Sequence, residues 1–162
     1  MKNLGALSIR PFVAAVLVPL FILAFSASKF SKPDEISFYL GLGFLSAGAS
    51  ILTATLRLYI KKCELGADQS GAPRDLITSG MYAYVRNPAE IGLAAMLVGE
   101  SVFFGSALIL LWFFCYFAIR NAHIIYVEEP GLAKRYGCKY FDYARNVGRW
   151  IPRKRPWKSD SD

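Results

Sequence analysis

Uncharged stretches of membrane-spanning length dominate the hydrophobic pattern of this chain. Residues 11–28 form a run of 18 without a charge, residues 36–56 one of 21, and residues 101–119 one of 19. A helix needs about 20 apolar residues to cross a bilayer core of about 30 Å. Residues 88–119 make a longer stretch interrupted only by Glu90 and Glu100. As one straight helix those 32 residues would extend about 48 Å, too long for a single span. Gly105 and Ser106 lie inside the stretch and supply a turn. The pattern therefore predicts a tight hairpin, one short helix near residues 88–104 and another near 106–127. The expected fold class is an all-α polytopic membrane protein, about four transmembrane helices in a single domain over residues 1–162.

Small residues cluster on two of the expected helices: Gly41, Gly43, Ala47, Gly48 and Ala49 on the second, Gly92, Ala95 and Gly99 on the third. In lipid such residues let helix backbones approach closely, which makes packing the expected role of those on the second helix. Glu100 shares the face of Gly92 and Gly99. An ionisable group there is costly unless it faces protein or water, so Glu100 either lines a substrate cavity or reaches the far headgroups. After Tyr126 the pattern changes. Glu128, Glu129, Pro130 and Gly131 end the apolar run, and Leu132, Tyr136, Tyr140 and Tyr143 recur every three to four residues among basic side chains. That spacing predicts a C-terminal amphipathic interfacial helix with its tyrosines at the membrane surface.

Composition agrees with this reading: 54% of the residues are hydrophobic and 19% charged, and the excess is gathered into the runs above. The formal charge of +7 is unevenly spread. Two basic residues (Lys2, Arg10) precede the first run and two (Lys29, Lys32) follow it, whereas residues 57–86 hold 5 and residues 120–162 hold 10. The positive-inside rule then makes the long loop and the tail cytoplasmic, and four spans put both termini on that side. The basic tail, residues 153–162, is expected against anionic lipid headgroups of the bilayer rather than on nucleic acid. Lys2 and Arg10, followed by the small residues Ser26, Ala27 and Ser28, also fit a cleavable signal segment, so the first helix is open between anchor and signal. Cys63, Cys115 and Cys138 have no metal or disulfide spacing, and the single histidine excludes a multi-histidine metal site.

Two motifs carry candidate chemistry. The first runs Gly80, Tyr82, Arg86, Asn87, Pro88, Glu90, Gly92; the second is Glu128 and Glu129, then Tyr136, Gly137, Tyr140, Tyr143, Arg149 and Pro152. In order and spacing they resemble the isoprenylcysteine carboxyl methyltransferase and phospholipid methyltransferase families over residues 77–152. The resemblance implies an integral membrane methyltransferase with S-adenosylmethionine as cofactor. It also implies that Tyr82, Arg86, Asn87, Pro88, Gly92, His123, Glu128 and Glu129 line a cytoplasm-facing cofactor pocket. Two departures stand out. Glu90 replaces the usual tyrosine, and Asn87 stands where many members have histidine.

The residues themselves admit plainer roles. Asn87 suits an N-cap, Pro88 position N1 and Glu90 position N3, a capping box that would merely start the third helix. The same helix start offers free N–H groups to a carboxylate, and Arg86 is placed to assist. Glu128 and Glu129 sit where the fourth helix is expected to end, a position opposed by the helix dipole. On a regular helix Asn121 shares the face of Glu128, while His123 points about 140° away. Glu129 and Arg149 are the catalytic candidates, Arg149 orienting substrate or cofactor carboxylate. Glu90 and Glu100 are the candidate substrate contacts, and Glu90 would repel a carboxylate nucleophile. The expected function is methyl transfer to a lipophilic or small membrane-partitioning acceptor, with carboxyl, amine and thiol all open. The alternatives are a membrane reductase with a nicotinamide cofactor and a non-catalytic membrane adaptor.

Overall fold

The computed structural model describes residues 9–25, 35–68 and 71–158, and its named elements are all helical. They are α1 (Ile9–Phe25), α2 (Glu35–Leu65), α3 (Pro88–Phe104), α4 (Ala107–His123), α5 (Glu129–Tyr136) and α6 (Cys138–Asn146), with a 3₁₀ turn at Gly80–Ala83 and a π-helical segment at Ile124–Glu128. Lys2, Ser26, Ala27, Ser28, Lys29 and Lys32, on which the signal alternative and the first-loop charge rest, lie outside the described residues.

Among the described residues, two helices are long and apolar enough to cross a membrane: α2, and the continuous helical stretch Ala107–Tyr136 that contains α4. The α2 helix extends past the expected end of its apolar run at Leu56. It has 31 residues, about 46 Å, which is longer than a bilayer core of about 30 Å. The α3 and α4 helices have 17 residues each and are separated at Gly105, whose φ of 59° is left-handed and closes α3. Ser106 then caps α4 by accepting a hydrogen bond from the Ile109 N–H at 3.4 Å.

The α2 and α3 helices pack antiparallel through glycines. A Cβ on Gly48 would stand 2.6 Å from the Gly92 carbonyl, one on Gly99 2.8 Å from the Leu45 nitrogen, and one on Gly41 2.7 Å from Phe103. Gly43 faces open space and has no such role. Close backbone approach of this kind gives van der Waals contact where apolar burial supplies no driving force. The α1 helix joins α4 through Trp112, whose Nε1 donates to the Ala14 carbonyl at 3.2 Å.

The C-terminal part departs from the expected single surface helix. Helix does not stop at Glu128: α4 runs through the π segment into α5, and the Glu129 N–H bonds the Ile124 carbonyl five residues back. Pro130 explains the widened turn, since it has no N–H for the carbonyl four residues earlier and its ring would press on it. A second break comes at Gly137, where φ is 55° and α6 sets off in a new direction. Tyr140 and Tyr143 are therefore not at a lipid interface. They are 4% and 3% exposed, packed in a core with Val147.

These short helices fold onto the loop between α2 and α3 and form a polar cap. Tyr143 Oη donates to the Tyr82 carbonyl at 2.7 Å, Tyr136 Oη to the Pro73 carbonyl at 2.7 Å, and Arg135 pairs with Asp68 at 2.8 Å. The chain beyond α6 closes the cap, with backbone bonds from Arg153 N–H to Tyr84 and from Trp157 N–H to Ala83.

Candidate active site

Under the cap lies a cavity of about 780 Å³, within the roughly 300–1,000 Å³ typical of small-molecule sites. Apolar side chains from α2 and α3 (Leu52, Leu56, Leu93) and from the cap (Leu76, Ile77, Leu132) form its walls. Both motifs meet here: Tyr82, Arg86, Asn87, Pro88 and Glu90 reach it from the start of α3, and His123, Glu128 and Glu129 from the end of α4 and the π segment. Three candidates do not line it. Gly92 is turned toward α2, against Gly48 and Leu52. Glu100 lies ten residues further along α3, about 15 Å from Glu90 along the axis. Arg149 does not line it and touches two residues that do, Glu129 through its guanidinium and Asn87 through its carbonyl.

Glu129 is the centre of one charge cluster. Arg149 grips its carboxylate with two hydrogen bonds, Nε to Oε1 at 2.7 Å and Nη2 to Oε2 at 2.8 Å, and Arg86 Nη1 adds a third at 2.9 Å. Burial pushes the Glu129 carboxyl up. The Arg149 hydrogen bonds and the charges of Arg86 and Arg149 more than offset it, holding the group below the usual carboxylate range. The Glu129 hydrogen bond in turn raises Arg149. Arg86 Nε is buried with no hydrogen-bond partner, so this guanidinium retains an unused donor. Burial also raises Tyr82 and Tyr143, and burial with the Glu129 charge raises Tyr140; all three are neutral phenols.

The second cluster overturns the capping box. Asn87 makes no side-chain cap; its Nδ2 donates to the Arg149 carbonyl at 3.3 Å and ties the helix start to the tail. Glu90 turns away from the helix start. It accepts from Arg120 Nη2 at 2.6 Å and Nε at 2.9 Å, and from Tyr116 Oη at 2.9 Å. Arg120 Nη2 also donates to Glu128 Oε1 at 2.8 Å. Arg120, counted in the sequence only as a flanking cation, is thus a half-buried tie between α3, α4 and the π segment. Tyr116, also unremarked in the sequence, holds the other side of Glu90.

The predicted helical faces are reversed as well. His123 Nδ1 lies 3.1 Å from Glu128 Oε1, while Asn121 leaves the cavity and accepts from Trp150 Nε1 at 2.9 Å. Positions five apart diverge by about 140° on an α-helix, but i→i+5 bonding brings them into line. The dipole cost assigned to Glu128 and Glu129 also disappears, because helix continues past them.

Residues 36–139, well over half the chain, match the phospholipid methyltransferase family. The chain belongs to that family. Among its relatives, a protein-S-isoprenylcysteine O-methyltransferase of Tribolium castaneum is 30% identical over 116 residues, 68% of this chain and 38% of that protein. One of Schizosaccharomyces pombe is 25% identical over 149 residues, 91% of this chain and 60% of that protein. The chain thus spans less than two thirds of the length of these relatives. No solved structure matches it. The family match ends at residue 139, short of Arg149 and of the tail that completes the cap.

Proposed function

We propose that this chain is an integral membrane methyltransferase that moves a methyl group from S-adenosylmethionine to a lipophilic or small membrane-partitioning acceptor. The supporting observation is the single cavity that holds both motifs, lined by carboxylates, arginines and tyrosines and backed by apolar walls. The residues present fit the cofactor. Arg86, with its unused buried donor, suits the cofactor carboxylate. Glu128 suits the amino group or ribose hydroxyls, and the Tyr82 and Tyr140 rings suit a sulfonium cation. When bound, S-adenosylmethionine supplies an electrophilic methyl group. The chain supplies position: Arg149 orients Glu129, Glu129 fixes Arg86, and the cap excludes water while the apolar walls hold the acceptor in line.

Four spans, formed by α1 to α4, put the cap and both termini on the cytoplasmic side, in keeping with the 15 basic residues in the long loop and tail.

Isothermal calorimetry in mild detergent tests the cofactor. The native chain is expected to bind S-adenosylmethionine. Glu128→Ala, which leaves the Glu129 cluster in place, and the double variant Glu128→Ala/Glu129→Ala are expected to weaken or abolish it. A folded native protein that binds a nicotinamide dinucleotide instead, or neither ligand, would refute the proposal.

A further inference from the structure

We infer that the crevice between α2, the start of α3 and the tail binds one anionic glycerophospholipid, an acyl chain in the crevice and the phosphate on Arg153. The site is separate from the cavity under the cap and needs no cofactor, so it stands apart from the methyltransferase reading.

The crevice has a volume of about 300 Å³. Ile51 and Ile91 form its wall on the two helices, Met81, Tyr84 and Val85 the wall on the loop before α3, and Pro152 closes it from the tail. Ile51 lies five residues before Leu56, where the apolar run of α2 ends, about 8 Å along the axis. Ile91 belongs to the first turn of α3. The crevice thus sits at the border between the apolar helices and the polar cap, the level at which a phospholipid passes from acyl chain to headgroup. Pro88 lines both this crevice and the larger cavity, so an occupant here presses on the helix start that presents Arg86 and Asn87.

The walls are hydrocarbon and aromatic side chains. A peptide laid against them would leave backbone N–H and C=O groups unpaired, whereas an acyl chain has none to lose. The charge at the rim is of one sign. Arg153 N–H donates to the Tyr84 carbonyl at 3.0 Å, which fixes this residue beside the crevice. Its side chain is half-buried, and Nη1 is shielded from solvent with no acceptor among the described residues. A shielded guanidinium without an anion is costly. Lys154, Arg155 and Lys158 follow with no acidic residue between them. None of the four cations forms an ion pair among the described residues. Ile151, on the other side of Pro152, is 81% exposed and suits the bilayer. The cations call for an anion and the crevice for hydrocarbon; an anionic glycerophospholipid joins the two in one molecule. Diffuse attraction of the tail to anionic lipid would need only the exposed cations. The site adds a shaped crevice and one fixed arginine, whose fork pairs with a phosphate.

Photolabelling of the full chain in vesicles tests the inference. The probe is phosphatidylglycerol with a diazirine on one acyl chain, diluted into phosphatidylcholine; phosphatidylcholine with the same diazirine is the control. The salt concentration is about 0.5 M, where attraction between exposed charges is largely screened. Adducts of the anionic probe are expected to concentrate on Ile51, Met81 and Ile91, exceeding those of the control by about tenfold. Arg153→Gln is expected to remove that preference, while Lys154→Gln/Arg155→Gln leaves it within about twofold. Ile91→Trp fills the crevice, keeps every cation, and is expected to clear the adducts from Ile51 and Met81. The two variants reach the site from its two ends, so misfolding of one leaves the other to decide. Equal labelling by the two probes overturns the inference, as do adducts spread evenly over the helices or an Arg153→Gln chain that labels like the native one. A loss in Lys154→Gln/Arg155→Gln as large as in Arg153→Gln would reduce the site to diffuse attraction and also overturn it.

Discussion

Removing the Glu129 carboxylate should cost more stability than an ordinary surface ion pair. It accepts three charge-assisted bonds of 2.7 to 2.9 Å from Arg149 and Arg86. The side chain is 16% exposed, against 15% for Arg86 and 29% for Arg149. Breaking a fully buried pair costs about 3–5 kcal/mol and an exposed one about 0–1 kcal/mol. The exposures place Glu129 nearer the buried limit, with a discount for the water that reaches Arg149. Glu129→Ala is thus expected to cost about 2–3 kcal/mol, since it also leaves two guanidiniums facing each other unscreened. Denaturant unfolding in mild detergent, followed by the fluorescence of Trp150 beside Arg149, measures it. A double-mutant cycle of Glu129→Leu with Arg149→Leu isolates the pair, with an expected coupling above about 1 kcal/mol. The pH dependence has a definite sign. The folded pKa of Glu129 is depressed, so its contribution is complete above the unfolded value of about 4.3 and fades as pH falls through the folded value. The Ala variant should therefore lose less stability on acidification than the native chain. A cost under about 0.5 kcal/mol with additive single variants would refute the clamp.

Gly92→Ala should destabilise the α2–α3 contact by about 1–3 kcal/mol, because the added Cβ would stand 2.9 Å from the Gly48 carbonyl; an unchanged unfolding midpoint would show that the helices can separate freely. The four-span arrangement expects Cys63 and Cys138 to react with a membrane-impermeant maleimide from the same face, with Cys115, on α4, shielded by lipid. Labelling of Cys63 and Cys138 from opposite faces would reject it.

Much of the site was legible because its residues are adjacent in sequence. Tyr82 to Glu90 and Glu128 to Glu129 are two short motifs, and both reach one cavity. Partners remote in sequence were not legible. Arg120 looks like any cation flanking an apolar run until Glu90 and Glu128 close on it. The facing of His123 and Glu128 was misjudged because a 3.6-residue period cannot report a π turn; Pro130, read only as an end to the apolar run, was the available signal. The tyrosines at 136, 140 and 143 have the spacing of a surface helix. Gly137 breaks that helix, and the loop 60 or more residues upstream buries its rings. The glycines of α2 were read correctly as packing residues, except for Gly43, whereas Gly92 of α3, assigned to the cofactor pocket, packs against Gly48 and Leu52 instead.

The way the tail closes the cap also sets an order in time. A chain is made from its N-terminus, so every helix of the bundle exists before Arg149 can grip Glu129 or bring its carbonyl to Asn87. The backbone bonds from Arg153 and Trp157 to the 80s loop come later still. Until then Tyr82 to Glu90 and Glu128 to Glu129 are present but the cavity has no finished roof. The roof of the cavity is thus complete only once synthesis has passed residue 157.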